Sequence, residues 1–356
     1  MDFLFLRASD REISMTSHYF HRIICSFVVI VFLFLSSICL GADRQGKSLV
    51  SLKALLTPFI SFAPFFIAEE EGYFTEQGLD VHFINLDDAS KAIPSLLKGD
   101  LDIVGGTISV SMLNVMAKGE KMRLVADKAY ISTTGCDHFA LLARKDLVKD
   151  VKIPDPVHLK GKRVAVKPAR STEYYLEKIL EKARLTIHDI IAVNIPDEII
   201  IEALKSRNID FAVTAEPWIT RAIDTGQGMV WIPAKQIIPD WQIAIVLYGP
   251  NLIDKDPNSG NKFMVAYLKA VRQYNKGKTK RNLDIMNKYT GLTYEFLNRS
   301  CWTPLRDDGQ IHIQSILDFQ SWALMKDYLD KPATKDQLWD PRFIEYANQV
   351  LAESKR

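Results

Sequence analysis

Cysteine is scarce in this chain. Four are spread over 356 residues, and Cys25 and Cys39 lie near the N-terminus. Cys136 and Cys301 are left, too far apart in sequence to form a disulfide framework. One bridge is permitted in an oxidising compartment, but spacing does not establish it. Zinc-ligand spacing of Cys and His is also missing, so no metal site is expected. His138, His158, His188 and His312 stand singly and read as structural or exposed. Charge of one sign is lacking too: the net charge is +2 with 25% charged residues. Nucleic-acid binding usually needs a clustered basic face, so it is not expected. The run Lys276, Lys278, Lys280, Arg281 is short and reads as a solvated helix end or loop. There is no nucleotide-binding loop, no nucleophile–base pair of recognisable spacing and no low-complexity segment. Catalysis and a bound cofactor are therefore not expected.

What is present begins with an export pattern. Residues 22–40 read RIICSFVVIVFLFLSSICL. His21 and Arg22 precede an apolar segment from Ile23 to Leu35, and Ser36, Ser37, Gly41 and Ala42 follow. A basic flank, an apolar segment and a small-residue exit make a secretory leader over 1–41. The apolar segment is shorter than the ~20 residues a spanning helix needs. Met15 is an alternative start. Acylation at Cys39 would anchor the protein to a membrane, although the bulky Ile38 before it fits that pattern poorly. A periplasmic or extracytoplasmic location follows from this reading.

After Lys47, strand and helix patterns alternate. SLVSLKALL reads as a strand, TPFISFAP as a loop, and the residues up to Gly72 as a helix. GLDVHFINL, LDIVGGT and KMRLVADKAY read as strands, with helices between them that start near Ser, Thr or Asp and end near Gly. A second set opens with GKRVAVK. It continues through a helix carrying Tyr175, Ile179, Leu180 and Ala183 at helical spacing. Such alternation predicts mostly parallel sheets covered by helices on both faces. We expect two α/β lobes: lobe 1 over 48–138 plus 246–330, and lobe 2 over 139–245. A helical C-terminal extension over 331–356 completes the chain. The crossings are placed near Cys136–Leu142 and Ala244–Tyr248.

The two halves echo each other. LLKGDLDIVGGT and ALKSRNIDFAVTAEP each run from a helix end through an Asp into an apolar strand. Asp102 and Asp210 hold the same place in the two. In open α/β sheets, ligands bind beyond the carboxyl ends of strands. The segments TPFISFAP, GGTIS, KPARSTE and TAEPW would thus face one cleft.

The ordered segments GYFTEQGLDVHF, LLKGDLDIVGG, DPVHLKGKRVAVKPARSTEYYLEKILEKARL and ALKSRNIDFAVTAEPW carry a resemblance. From roughly Leu49 to Leu329, the chain resembles the SsuA/THI5-like (NMT1-like) periplasmic binding proteins for nitrate, sulfonates, taurine and thiamine-pyrimidine precursors. The resemblance implies a type II periplasmic-binding fold, with two lobes, a two-stranded hinge and an ABC permease as partner. A monomer is expected. The sequence departs from that family in its aromatic opening loop and in Arg170, so no relative's solute carries over.

The candidate contacts follow from chemistry. Ser171 and Thr172 begin a helix whose free N–H groups favour an anion, and Arg170 adds a charge-assisted donor. Thr107 and Ser109 follow a strand whose Gly105 and Gly106 permit close approach; capping the next helix is the alternative role. Ser61 and Phe62 lie in the first loop, Phe62 as ligand wall or core. Trp218 would stack on a flat ligand or pack between lobes. Glu216 would accept hydrogen bonds from an amine, or serve as a helix-start carboxylate. Asp137 and Tyr248 lie at the inferred crossovers. Together these residues suit a sulfonate-like anion or a pyrimidine-like heterocycle. The alternatives are a THI5-like pyrimidine-synthesising enzyme and a ligand-sensing module.

Overall fold

The computed structural model describes residues 48–57, 59–85, 92–148 and 154–354. The expected leader and Cys39 lie outside the described residues. Ten strands are placed among those that are described. They are β1 (Val50–Leu55), β2 (Leu79–Ile84), β3 (Ile103–Thr107), β4 (Arg123–Tyr130), β5 (Phe139–Arg144), β6 (Arg163–Ala165), β7 (Ile191–Val193), β8 (Phe211–Ala215), β9 (Gly228–Pro233) and β10 (Gln242–Tyr248). The helices that position the site are α1 (Ala63–Glu70), α2 (Val110–Ala117), α3 (Ser171–Lys182), α4 (Trp218–Asp224), α5 (Pro257–Tyr274), α6 (Ile313–Met325) and α7 (Arg342–Glu353).

Two five-stranded sheets form, in the orders β2-β1-β3-β10-β4 and β7-β6-β8-β5-β9. In lobe 1, β1 is parallel to β2 and β3, and β10 is antiparallel to β3 and β4. In lobe 2, β6 is parallel to β7 and β8, and β5 is antiparallel to β8 and β9. The topology is the same twice over. In each sheet the antiparallel strand is the one adjoining a crossing: β5 follows the first and β10 follows the second.

This placement limits the first expected crossing to residues before 139 and moves the second. Residues 139–144 form a fully buried strand in the middle of lobe 2 rather than a connection. Residues 242–248 form a fully buried strand in lobe 1, so the second crossing lies before Gln242. A strand buried on both faces is a continuous apolar run, and such a run has no period to mark it. The crossings themselves are paired: Ile131 N–H donates to the Trp241 carbonyl and Asp240 N–H to the Ile131 carbonyl, both at 2.8 Å. That is a two-stranded hinge.

The C-terminal helices are not an appendage. Phe343, Ile344 and Ala347 of α7 are buried in the lobe 1 core with Phe62, Phe65, Tyr248 and Phe263. A second apolar cluster includes Val104 and Leu113 of lobe 1, Phe319 and Trp322 of α6, and Tyr174 and Ile179 of lobe 2. Helix α6 therefore ties the lobes together. Trp322 Nε1 donates to Glu177 Oε2 at 2.8 Å, and Lys326 Nζ lies 2.6 Å from Glu177 Oε1. Cys136 and Cys301 are disulfide-bonded, joining the first crossing to the loop that follows residues 294–299.

The echo between the halves is structural. Asp102 Oδ2 accepts the Lys53 N–H at 2.7 Å, while Asp102 N–H donates to the Lys53 carbonyl at 2.9 Å. Asp210 does the same with Arg163, at 2.9 and 2.8 Å. Asp102 stitches the start of β3 to β1, and Asp210 the start of β8 to β6.

Candidate functional site

The carboxyl ends of both sheets are where the lobes meet. Ser109 caps α2, its Oγ accepting the Met112 N–H at 3.4 Å. Arg170 precedes α3, and Glu173 in the first turn reaches back to accept the Ala169 N–H at 2.6 Å. These two helix starts are joined directly. Ser109 and Arg170 form an antiparallel bridge. Val110 N–H donates to the Ala169 carbonyl at 3.0 Å, and Ser171 N–H to the Ile108 carbonyl at 3.2 Å. Two helix N-termini, one from each lobe, thus converge. Each carries partial positive charge.

Two unused polar groups stand at this junction. The Ser171 hydroxyl is fully buried and has no hydrogen-bond partner among the described residues. Buried hydroxyls are normally paired, so an orphan calls for an explanation. The Arg170 side chain is half-buried and makes no hydrogen bond or ion pair among the described residues. Thr107, at the end of β3, is exposed. Thr172 is committed elsewhere, donating through Oγ1 to the Lys167 carbonyl at 2.9 Å.

Other expected contacts turn out to be structural. Tyr248 is fully buried in lobe 1, packs edge-on against Phe343 and donates its hydroxyl to the Gly260 carbonyl at 2.9 Å. It faces no cleft, which corrects its assignment as a solute contact. Glu216 is also buried. Its carboxylate accepts from the Thr220 hydroxyl at 2.7 Å, the Thr220 N–H at 3.1 Å and the Cys301 N–H at 3.0 Å. It is a helix-start carboxylate that also holds the far lobe. Burial raises its pKa, against the lowering by those hydrogen bonds. Trp218 has the Arg221 guanidinium 4.6 Å from its ring centre, and Arg221 lies 6.0 Å from the Phe296 ring. Arg299 pairs with Asp224 at 2.8 Å nearby. Trp218 is thus covered by Arg221 of its own helix, and it is Arg221 that reaches the Phe296 ring of lobe 1. Asp137 pairs with Lys235 at 3.2 Å on the first crossing.

Phe62 is core, and its ring face supports a residue the sequence reading passed over. Lys128 of β4 is 2% exposed, and its Nζ lies 3.8 Å from the Phe62 ring centre. That Nζ donates to Ser61 Oγ at 2.7 Å. Burial lowers the Lys128 pKa to about 7, with the Asp127 charge acting the other way. Asp127 itself is pushed up to about 6 by burial, although Arg306 N–H and Gln242 Nε2 donate to its carboxylate. His138, beside the hinge, is lowered to about 4 by burial and is neutral at pH 7. A cavity of about 140 Å³ is lined by Val166, Pro168, Glu173, Ile187, Ala192 and Asn194, all from lobe 2. Among the described residues, no His/Cys/Asp/Glu group of three could hold a metal, and no helix is long and apolar enough to cross a membrane.

The family described as NMT1/THI5 like matches residues 60–276. The chain belongs to that family. It is 24% identical over 323 residues to YtlA of Bacillus subtilis (strain 168), which is named only as a binding protein; the match spans 88% of this chain and 92% of YtlA. The ligand-binding component of an ABC-type import system from Staphylococcus aureus superposes with a TM-score of 0.69 at 16% identity, covering 84% of this chain and 99% of the other. The nitrate-binding protein NrtA of Synechocystis PCC 6803 gives 0.68 at 16% identity, over 85% of this chain and 89% of NrtA. The desulfurization enzyme DSZB shares the fold at 0.58 and 14% identity, over 85% and 99%. The architecture is that of the periplasmic binding proteins, two α/β lobes on a hinge.

Proposed function

We propose that this NMT1/THI5-like protein is the solute-binding component of an ABC importer. It captures a small acidic solute between its lobes and presents it to a membrane permease. The observation that carries the reading is the junction of α2 and α3, where two helix N-termini meet, the Ser171 hydroxyl is buried without a partner, and Arg170 is uncommitted. Donors of this kind suit a sulfonate-like or carboxylate-like anion. A flat heterocyclic part, as in a pyrimidine, finds less support than the sequence alone implied, because Trp218 is engaged by Arg221. The likeness to NrtA supports an anion, and that to the Staphylococcus aureus component supports an import role. Binding needs no covalent step: contacts made with both lobes favour the closed form. An extracytoplasmic location after leader cleavage, a monomeric state and the absence of catalysis belong to the same reading.

Native mass spectrometry of the full chain, purified without refolding, tests it. A non-covalently bound small acid, lost on unfolding and recovered unchanged, is the expected result. A solute that is chemically converted during incubation would make the protein an enzyme instead.

A further inference from the structure

Lys128 is a costly residue for a protein interior. An ammonium is stable in a low-dielectric site only with full hydrogen bonding or an opposite charge. Here the charge is carried on β4, two residues before the strand ends at Tyr130. The nearest acid is its neighbour Asp127, whose carboxylate is engaged by Gln242 and the Arg306 N–H. The strand beside β4 is β10, which presents Ala244 and Ile245 opposite Ala129 and Asp127. The loop after β1 offers one hydroxyl, Ser61, and one ring, Phe62. From β3 comes Gly105, where a Cβ would sit 2.7 Å from Lys128 Cε. The glycine is required for the lysine stem to pass. Among the described residues, no carboxylate lies within 4 Å of Nζ, and one of its three N–H donors is assigned.

The position gives this arrangement a use. β3 and β4 both run antiparallel to β10, so their carboxyl ends lie together. Ser61 is half-buried, and Gly106 and the exposed Thr107 follow Gly105. The ammonium is therefore one hydroxyl removed from the edge where the lobes meet.

We propose that Lys128, presented by Ser61, Phe62 and Gly105, is the lobe 1 contact for the acidic group of the solute, and that solute binding is coupled to proton uptake at its Nζ. This rests on the solute-binding reading above and names the class it serves: small organic or inorganic oxyanions, not neutral solutes. Without solute, burial holds the lysine partly deprotonated at pH 7. An anion beside Nζ favours the charged form. Affinity is then flat below pH 7 and weakens as pH rises above it.

The test uses nitrate, taurine, benzenesulfonate and benzoate as probes, with benzenesulfonamide as neutral control. Titration calorimetry at pH 8 is run in buffers of different ionisation enthalpy. At that pH Asp127 is already ionised, so the proton count reports Lys128. We expect at least one acidic probe to bind with uptake approaching one proton, and the sulfonamide not to bind. Lys128→Met should lose at least ~10-fold in affinity, along with the proton uptake. It should also melt higher than wild type without probe, by about 1–3 °C, because an unpaired buried charge has been removed. A merely structural lysine predicts a lower melting temperature and unchanged binding. If Lys128→Met does not fold, Ser61→Ala serves, with weaker binding and a changed proton count expected. Binding by none of the acidic probes, equal binding of the sulfonamide, or no proton uptake overturns the assignment. If native mass spectrometry then finds an uncharged solute, Lys128's role and the acidic class of solute fail, while the solute-binding reading stands. If it finds no solute at all, both readings fail.

Discussion

Asp102 and Asp210 do the same work in two sheets of the same strand order, but in different electrostatic company. In lobe 1, Asp102 receives a backbone N–H and the side-chain amide of Asn251 at 2.7 Å. In lobe 2, Asp210 receives a backbone N–H and two guanidinium groups, Arg144 at 2.8 Å and Arg163 at 3.1 Å. The shared topology places the carboxylate that joins β3 to β1 and β8 to β6. It does not specify what neutralises that carboxylate. Lobe 2 binds its stitch with charge, and lobe 1 with neutral amides. The lobe whose stitching aspartate has no charged partner is also the one that keeps Lys128 buried at its edge.

The largest test of this contrast is Asp210→Ala. It removes one of the two carboxylates paired with the buried Arg144 and should cost up to about 3–5 kcal/mol in denaturant unfolding. The matched Asp102→Ala orphans an N–H and an amide but no charge, and should cost about 1–3 kcal/mol. Equal losses would remove the electrostatic difference between the lobes.

A pH series sharpens the comparison. Burial alone would raise the Asp210 pKa, but hydrogen bonds and charge from Arg163 and Arg144 outweigh it, and its pKa lies below the ordinary value. Its stabilisation is thus complete above about pH 4 and lost as pH falls further. Asp127, raised to about 6, has the opposite sign. Its contribution is greatest below about pH 4 and declines as pH rises to 6. Asp127→Asn should therefore gain stability relative to wild type as pH rises from 4 to 6, whereas the deficit of Asp210→Asn should be full above about pH 4 and shrink as pH falls below it. Thermal melts from pH 3 to 7 read both. The smallest effect expected is that of Tyr248→Phe, which removes the bond to Gly260 at about 0.5–1.5 kcal/mol. It should leave solute affinity unchanged, because Tyr248 belongs to the lobe 1 core.

The doubled architecture could be read from the sequence because the two Asp-led strands share a local pattern, and local pattern is what a sequence displays. The same holds for Ser109 and Arg170 at helix starts. β5 and β10 could not be placed so easily. Apart from Arg144 at the end of one and Gln242 at the start of the other, their residues form apolar runs, and apolarity says buried without saying where. Glu216, Trp218 and Tyr248 sit in segments that do lead to the lobe junction or the core. Their partners Cys301, Arg221 and Gly260 were not identifiable from spacing. Lys128 was hidden for the opposite reason. In RLVADKAY it reads as the solvent-facing member of an ordinary strand, and only the tertiary placement of Phe62 and Gly105 shows it to be enclosed.

The account depends most on closure of the lobes over a solute, and the bonds that report closure are known. Hydrogen exchange at the Val110 and Ser171 amides, which donate from one lobe to the other, is the direct measurement. With a bound acidic probe such as benzenesulfonate, both amides should exchange at least ~10-fold more slowly, while amides in the core around Tyr248 stay unchanged. Exchange at Val110 and Ser171 that ignores the bound probe would contradict the account.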